Sequence, residues 1–187
     1  MLFRSSPLHE RLAAQRAWFR DVSGWENPGW YAPEGAEPDF GEPTFGRPSW
    51  WPYWEAEHHA ARNDVIVMDM SFMSKFLVQG DDAGARLNWI SGNDVDGGTG
   101  VITYTQWLDE LGKLQADLTV TKLADDRFWV VASDTAHRHV ETHLRRHFAG
   151  HHAFVTDVTG AYAQINVQGP RSRELLQSLT TADLSDE

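Results

Sequence analysis

The chain has 187 residues, a formal charge of −11, nine tryptophans and no cysteine, a length that suits one domain with an appendage. Acid exceeds base in both halves, which excludes the positive stripe a nucleic-acid binder presents to phosphates, and the missing cysteine excludes disulfides, thiolate metal sites and a thiol nucleophile. The longest strongly apolar runs, residues 65–68 and 128–132, are far too short to span a membrane, and residues 1–7 lack a secretory h-region, so a cytoplasmic protein is expected, or one of the mitochondrial matrix in a eukaryote.

Residues 1–54 form an aromatic and Pro-rich segment. A helix is predicted over 7–20: Ser6 can cap it, Pro7 suits its first position, and Leu8, Leu12 and Phe19 fall near one face. Residues 25–33 and 45–52 then punctuate the chain with turns. A linker would be polar; these large aromatics must instead be covered by something.

Residues 55–187 read as a compact mixed domain. A helix over 55–62 precedes strands at 65–70 and 75–79, and Asp81 opens a helix that runs to about 90. Strands at 101–108 and 114–123 form a hairpin across the turn Asp109-Glu110-Leu111-Gly112, followed by a strand at 127–132. Asp134 opens a helix with Ala136, Val140, Leu144 and Phe148 spaced by four. Strands at 153–158 and 162–167 follow, and Pro170 opens a last helix carrying Leu175, Leu176 and Leu179. Consecutive strands with short turns pair antiparallel, so the predicted class is α+β: antiparallel sheets with packed helices. The chain stops soon after a helix, which suggests a domain incomplete at the C-terminus.

Three motifs fail on inspection. Asp96-Gly97-Gly98-Thr99-Gly100 lacks the Lys-Ser/Thr of a phosphate loop and precedes a strand, so it reads as a turn. His139, His143 and His147 share a helix face but alternate with Arg138, Arg145 and Arg146, which reads as a solvated face, and no metal site is assigned. No GxSxG elbow supports serine hydrolysis. The hairpin is more informative. Gln115, Asp117, Thr119 and Thr121 share one face of its second strand. With a four-residue loop, Leu108 pairs with Lys113, which sets Asp117 opposite Tyr104 and Gln115 opposite Gln106. A carboxylate beside a tyrosine is either a functional pair or part of a polar outer face.

The stretch from Gly100 through Tyr104 and Asp117 to Thr121 resembles the folate-binding domain of the aminomethyltransferase family, that of the glycine-cleavage T-protein. Asp69-Met70-Ser71-Phe72-Met73, Asn93-Asp94-Val95 and Gln168-Gly169-Pro170 resemble family motifs in the same order. The segments Ser6–Arg11, Gly24–Trp30 and Phe45–Pro48 look like the junction between flavin and folate domains in FAD-dependent dimethylglycine and sarcosine dehydrogenases.

The resemblance implies that residues 1–54 join a missing flavin domain to residues 55–187, the N-terminal part of a folate-binding domain. It implies tetrahydrofolate as cofactor, with FAD only in the missing domain, supplied in cis or by another chain. Asp117 matches the family's strand aspartate, which orients folate and manages protons as a one-carbon unit from an oxidised N-methyl amine joins tetrahydrofolate. Tyr104 and Met73 match positions lining the folate cavity. The T-protein's Ser-Asn-Ala is replaced here by Ala132-Ser133-Asp134, which removes a folate-contacting asparagine. Two alternatives share the architecture: a non-catalytic subunit resembling the regulatory subunit of pyruvate dehydrogenase phosphatase, and a stand-alone folate-binding module. A junction segment separated from its flavin domain is expected to expose apolar surface around Trp25, Trp30, Trp50 and Trp51.

Overall fold

A computed structural model describes residues 3–185. In chain order the elements are β1 (Arg4–Ser5), α1 (His9–Ala14), β2 (Ala17–Val22), β3 (Trp25–Tyr31), α2 (Trp51–Asn63), β4 (Ile66–Asp69), β5 (Ser74–Gln79), α3 (Ala83–Ile90), β6 (Ile102–Leu108), β7 (Leu114–Ala124) and β8 (Arg127–Ala132). After a 3-10 turn over Asp134–Ala136 come α4 (His137–Phe148), β9 (Phe154–Asp157), a 3-10 turn over Thr159–Ala161, β10 (Ile165–Gln168) and α5 (Ser172–Gln177). The α+β class with antiparallel sheets is as the sequence predicts. The chain divides into two compact units, one of residues Ser71–Tyr162, the other of the residues before and after them. The division expected between residues 54 and 55 falls inside α2.

The unit of residues 71–162 is a five-stranded antiparallel sheet in the order β6-β7-β8-β5-β9. Strand residues alternate in burial because successive side chains point to opposite faces. Ala116, Leu118 and Val120 of β7, Phe128, Val130 and Ala132 of β8, and Phe76 and Val78 of β5 turn inward. There they meet Ala83, Leu87 and Ile90 of α3 and Val140, Leu144 and Phe148 of α4, whose spacing sets each apolar stripe against the sheet. Trp107 of β6 is fully buried in this core. Burying each such large side chain contributes about 1.5–3 kcal/mol. Lys122 also turns inward at the far end of β7, and its ammonium is held by Asp96 at 2.9 Å and Asp125 at 3.3 Å.

The β6–β7 hairpin departs from the expected register. Its loop has five residues, Asp109 to Lys113, so Leu108 pairs with Leu114. One Asp109 carboxylate oxygen accepts the backbone N–H groups of Leu111 and Lys113, both at 2.9 Å, and Gly112 supplies the positive φ of +73° that closes the turn. A bulge then leaves Gln115 unpaired between Leu114 and Ala116. Together the longer loop and the bulge slide β7 by two residues. Asp117 lies opposite Gln106, and Tyr104 opposite Thr119. Because two residues is a full pleat repeat, every β7 side chain from Ala116 onward keeps its predicted face, while Leu114, displaced by one residue only, is turned out and exposed.

In the other unit, β1, β3 and β2 form a small sheet in that order, and β10 pairs antiparallel with β4. The helix predicted over 7–20 stops at Ala14. Arg16 takes a positive φ of 63°, and residues 17–22 become β2, paired with β3. The reason is burial: pairing encloses Ala17, Trp25 and Trp30, a gain larger than the weak helical preference of the segment. Pro28 is tolerated inside β3 because it sits beside the Trp18–Phe19 register shift and beyond the short flank of β1. The expected exposure of the tryptophans is corrected accordingly. Trp25 and Trp30 are buried, Trp50 and Trp51 half-buried, and the exposed aromatics among the described residues up to 54 are Phe3, Phe40, Phe45, Tyr53 and Trp54.

Gln168-Gly169-Pro170 joins β10 to α5. Gly169 has φ +121°, and a Cβ there would lie 2.3 Å from the Asp64 carbonyl oxygen. That oxygen accepts the Arg171 N–H at 3.1 Å, so the motif requires a residue without a side chain at this approach.

Candidate functional site

The face of the five-stranded sheet away from α3 and α4 carries Ile102, Tyr104 and Gln106 from β6, Asp117, Thr119 and Thr121 from β7, and Trp129 and Val131 from β8. The Tyr104 hydroxyl donates to Asp117 Oδ2 at 3.1 Å. The contact is diagonal across the pair, within reach of a side chain as long as tyrosine. Both residues are exposed, Tyr104 to 57%. One carboxylate oxygen is therefore fixed by a neutral donor, while the other makes no hydrogen bond among the described residues.

Asn93 anchors the tyrosine from behind. Its side-chain amide donates to the Tyr104 carbonyl at 2.8 Å, and its backbone N–H donates to Thr105 Oγ1 at 3.1 Å. In the same motif the Val95 N–H donates to Asn88 Oδ1 at 2.8 Å, and Val95 itself is buried. Asn93-Asp94-Val95 is thus a brace for β6, a role that spacing in the sequence does not reveal.

Met73 lies in the turn before β5, half-buried. Lys75, 2% exposed, folds back so that its ammonium donates to the carbonyls of Met73 at 2.7 Å and Ser71 at 3.0 Å. Across the sheet Leu118 pairs with Ala132, and Ala132 with Ser74. Asp117, Ser133 and Met73 therefore follow one another along the next row, with Met73 on the order of 10 Å from Asp117 at the usual strand spacing. The hydroxyl of Ser133, in the middle, lies 2.9 Å from that of Thr135. Further along the face, the rings of Trp129 and Tyr162 meet edge-on at 4.8 Å. Sequence reasoning missed this aromatic corner because Tyr162 follows a 3-10 turn rather than lying in a strand.

Two other constellations do different work. Ser74 Oγ lies 3.0 Å from His137 Nδ1, and His137 Nε2 lies 3.3 Å from Asp157. The triplet looks catalytic, but Ser74 is fully buried and its hydroxyl donates to the Ser133 carbonyl at 3.1 Å. No substrate carbonyl can reach it, and it joins β5, α4 and β9. Of the α4 histidines expected to form a solvated row, His139 is exposed and His147 half-buried, but His143 departs from it. His143 is 8% exposed, stacks on Trp107 at 5.6 Å and meets His147 in a tilted contact at 4.4 Å. Burial, then the neighbouring His147, His139 and Arg146, lower its pKa to about 4 against the opposing pull of Glu110. Among the described residues no group of three His, Asp or Glu is placed to hold a metal ion, and no helix is long and apolar enough to cross a membrane.

In the other unit, Tyr31, Glu57 and Asp69 lie near one another. Burial and then the charges of Glu57 and Asp69 raise the Tyr31 phenol, burial raises the Glu57 carboxyl, and the Ser6 hydroxyl donates to Asp69.

Residues 8–187 match the GCVT N-terminal domain. The chain is 39% identical over 184 residues to 4-methylaminobutanoate oxidase (formaldehyde-forming) of Paenarthrobacter nicotinovorans, covering 98% of this chain and 22% of that protein. It is 30% identical to the mitochondrial pyruvate dehydrogenase phosphatase regulatory subunit of Mus musculus, covering 98% and 22%. It is 31% identical to an aminomethyltransferase of Lysinibacillus sphaericus, covering 97% and 44%. The fold matches the glycine cleavage system aminomethyltransferase T of Bartonella henselae with a TM-score of 0.73 at 23% identity, over 94% of this chain and 43% of that one. The chain spans less than half the length of each of these proteins.

Proposed function

Since the chain belongs to the GCVT N-terminal domain family, we propose that it is the folate-binding portion of an enzyme that passes a one-carbon unit from an oxidised N-methyl amine to tetrahydrofolate. The observation that carries this reading is the Tyr104–Asp117 hydrogen bond on the open sheet face. A pterin is a flat ring edged with N–H donors, and the site offers what such a ring needs: an exposed carboxylate oxygen to accept them and an exposed aromatic beside it.

When bound, tetrahydrofolate supplies the amine nitrogens that accept the carbon. Asp117 accepts hydrogen bonds from the ring edge and takes up the proton that an attacking amine must lose. Tyr104 holds the carboxylate in one rotamer through Oδ2, which keeps the other oxygen aimed. Asn93 fixes the backbone under Tyr104, and Met73 provides an apolar wall from the far side of Ser133. Oxidation of the amine by FAD belongs to a further domain or to another chain.

The test uses the natural protein together with the flavin-bearing domain or chain that this reading requires. Asp117→Ala leaves amine oxidation and formaldehyde release at the wild-type rate and lowers folate-dependent carbon capture about 100-fold, the low end for loss of a general base. Equal loss of both activities in a folded variant would refute the assignment. The replacement of asparagine by Ser133 favours a second reading, a regulatory subunit in which this face no longer turns over. That reading holds if the wild type neither oxidises an amine nor binds tetrahydrofolate.

A further inference from the structure

A cavity of about 460 Å³ opens on the same unit but away from Asp117, where the ends of α3 and α4 meet the tip of the β6–β7 hairpin. Its lining is Trp89, Ile90 and Ser91 at the end of α3, Leu108, Asp109 and Glu110 from the hairpin, and His147 in the last turn of α4. The volume lies within the range of small-molecule sites. Trp89 is 75% exposed at this site, so its indole face is open to a ligand.

The charges around the cavity select its ligand. Both helices end here, so both present the negative end of the helix dipole. Asp109 already accepts the N–H groups of Leu111 and Lys113 and the side-chain amide of Gln115. Glu110 makes no hydrogen bond or ion pair among the described residues, and its carboxylate is close enough to act on His143 behind the wall. Two cations stand nearby: Arg146, beside His147 and close enough to act on His143 as Glu110 does, and Arg86. Its Nε donates to the His147 carbonyl at 3.2 Å, and its guanidinium lies 6.0 Å from the Trp89 ring. The site offers a Glu110 carboxylate without a hydrogen bond among the described residues, two helix C-termini, an apolar floor of Ile90 and Leu108, and an indole face that already attracts a cation.

We propose that this cavity binds a monovalent organic ammonium ion, its apolar body against Trp89 and Leu108 and its charged nitrogen toward Glu110. The site is independent of the folate face, since it lies at the helix-covered side of the sheet.

The test compares three probes of one shape and different charge, phenethylamine, 2-phenylethanol and 3-phenylpropionate, titrated against the natural protein and followed by the indole and methyl signals of Trp89 and Leu108 in NMR spectra. The amine binds with a millimolar dissociation constant. The alcohol binds roughly tenfold more weakly and the carboxylate more weakly still. Trp89→Ala and Glu110→Gln each weaken the amine roughly tenfold, while Trp89→Phe retains part of the affinity. Both residues are exposed, so unchanged circular dichroism separates lost binding from lost fold. Equal binding of all three probes would show a merely apolar patch. Preference for the carboxylate would assign the site to Arg86 and His147. No binding of the amine at tens of millimolar, or undiminished binding by the variants, would overturn the proposal outright.

Discussion

His143 gives the most quantitative handle on this fold. Its ring is enclosed between Trp107 and His147, and its Nε2 is buried without a hydrogen-bond partner. The charged form is therefore disfavoured in the folded chain: first by burial, then by His147, His139 and Arg146, with Glu110 opposing. The unfolded chain takes up this proton near pH 6.5, whereas the folded one holds it off until about pH 4. Between those values the unfolded state binds more protons, so stability falls as pH drops from about 6.5 to about 4 and levels off below. The shift corresponds to about 3 kcal/mol, and contact of the ring edge with solvent brings the expected loss to about 2–3 kcal/mol. His143→Phe keeps the stack on Trp107 and removes the titration. Urea denaturation of the two proteins at pH 7, 5.5 and 4 should show the variant losing about 2–3 kcal/mol less than wild type on acidification. An NMR titration should place the wild-type His143 ring at about 4, well below the ordinary imidazole value of 6.5. Parallel stability profiles, or a His143 pKa near 6.5, would refute the reasoning.

Tyr104→Phe keeps the ring and removes the hydroxyl that fixes Asp117 Oδ2; folate-dependent carbon capture by the natural protein should fall about tenfold, the worth of one hydrogen bond to a charged group, with amine oxidation unchanged. Gly169→Ala drives a Cβ against the Asp64 carbonyl at a backbone angle that side chains avoid, and should lower stability by about 2–4 kcal/mol in thermal or urea unfolding, without altering the titration of His143.

Legibility in the sequence followed the source of each element's stability. The strands β6, β7 and β8 were readable because one face packs on α3 and α4 and the other does not, which writes a period of two into residues 114–122. The register was not readable, since it depends on Asp109 capturing two backbone N–H groups and on Gln115 dropping out of the ladder. The juxtaposition of Tyr104 and Asp117 survived because two displacements of one residue restored the parity. The N-terminal sheet was hidden for a different reason. Leu8, Leu12 and Phe19 carry a helical spacing, while β2 and β3 are held by Trp18, Trp25 and Trp30 packing across strands, with the Trp18 ring against Gly29. His143 was hidden too: arginines on either side of a histidine do not reveal that Trp107 of another element lies over it.

The hairpin also limits how this domain can change length. Asp117 faces the open side only because the five-residue loop and the Gln115 bulge add up to an even displacement. A single insertion or deletion at the tip, uncompensated, would turn Asp117 inward against Leu87 and Leu144 and send Ala116 and Leu118 outward, exchanging the site for part of the core. A bulge costs little and can absorb one residue. It serves the hairpin as a frame corrector, so that drift in the loop around Glu110 and Leu111 remains compatible with a fixed carboxylate several residues away.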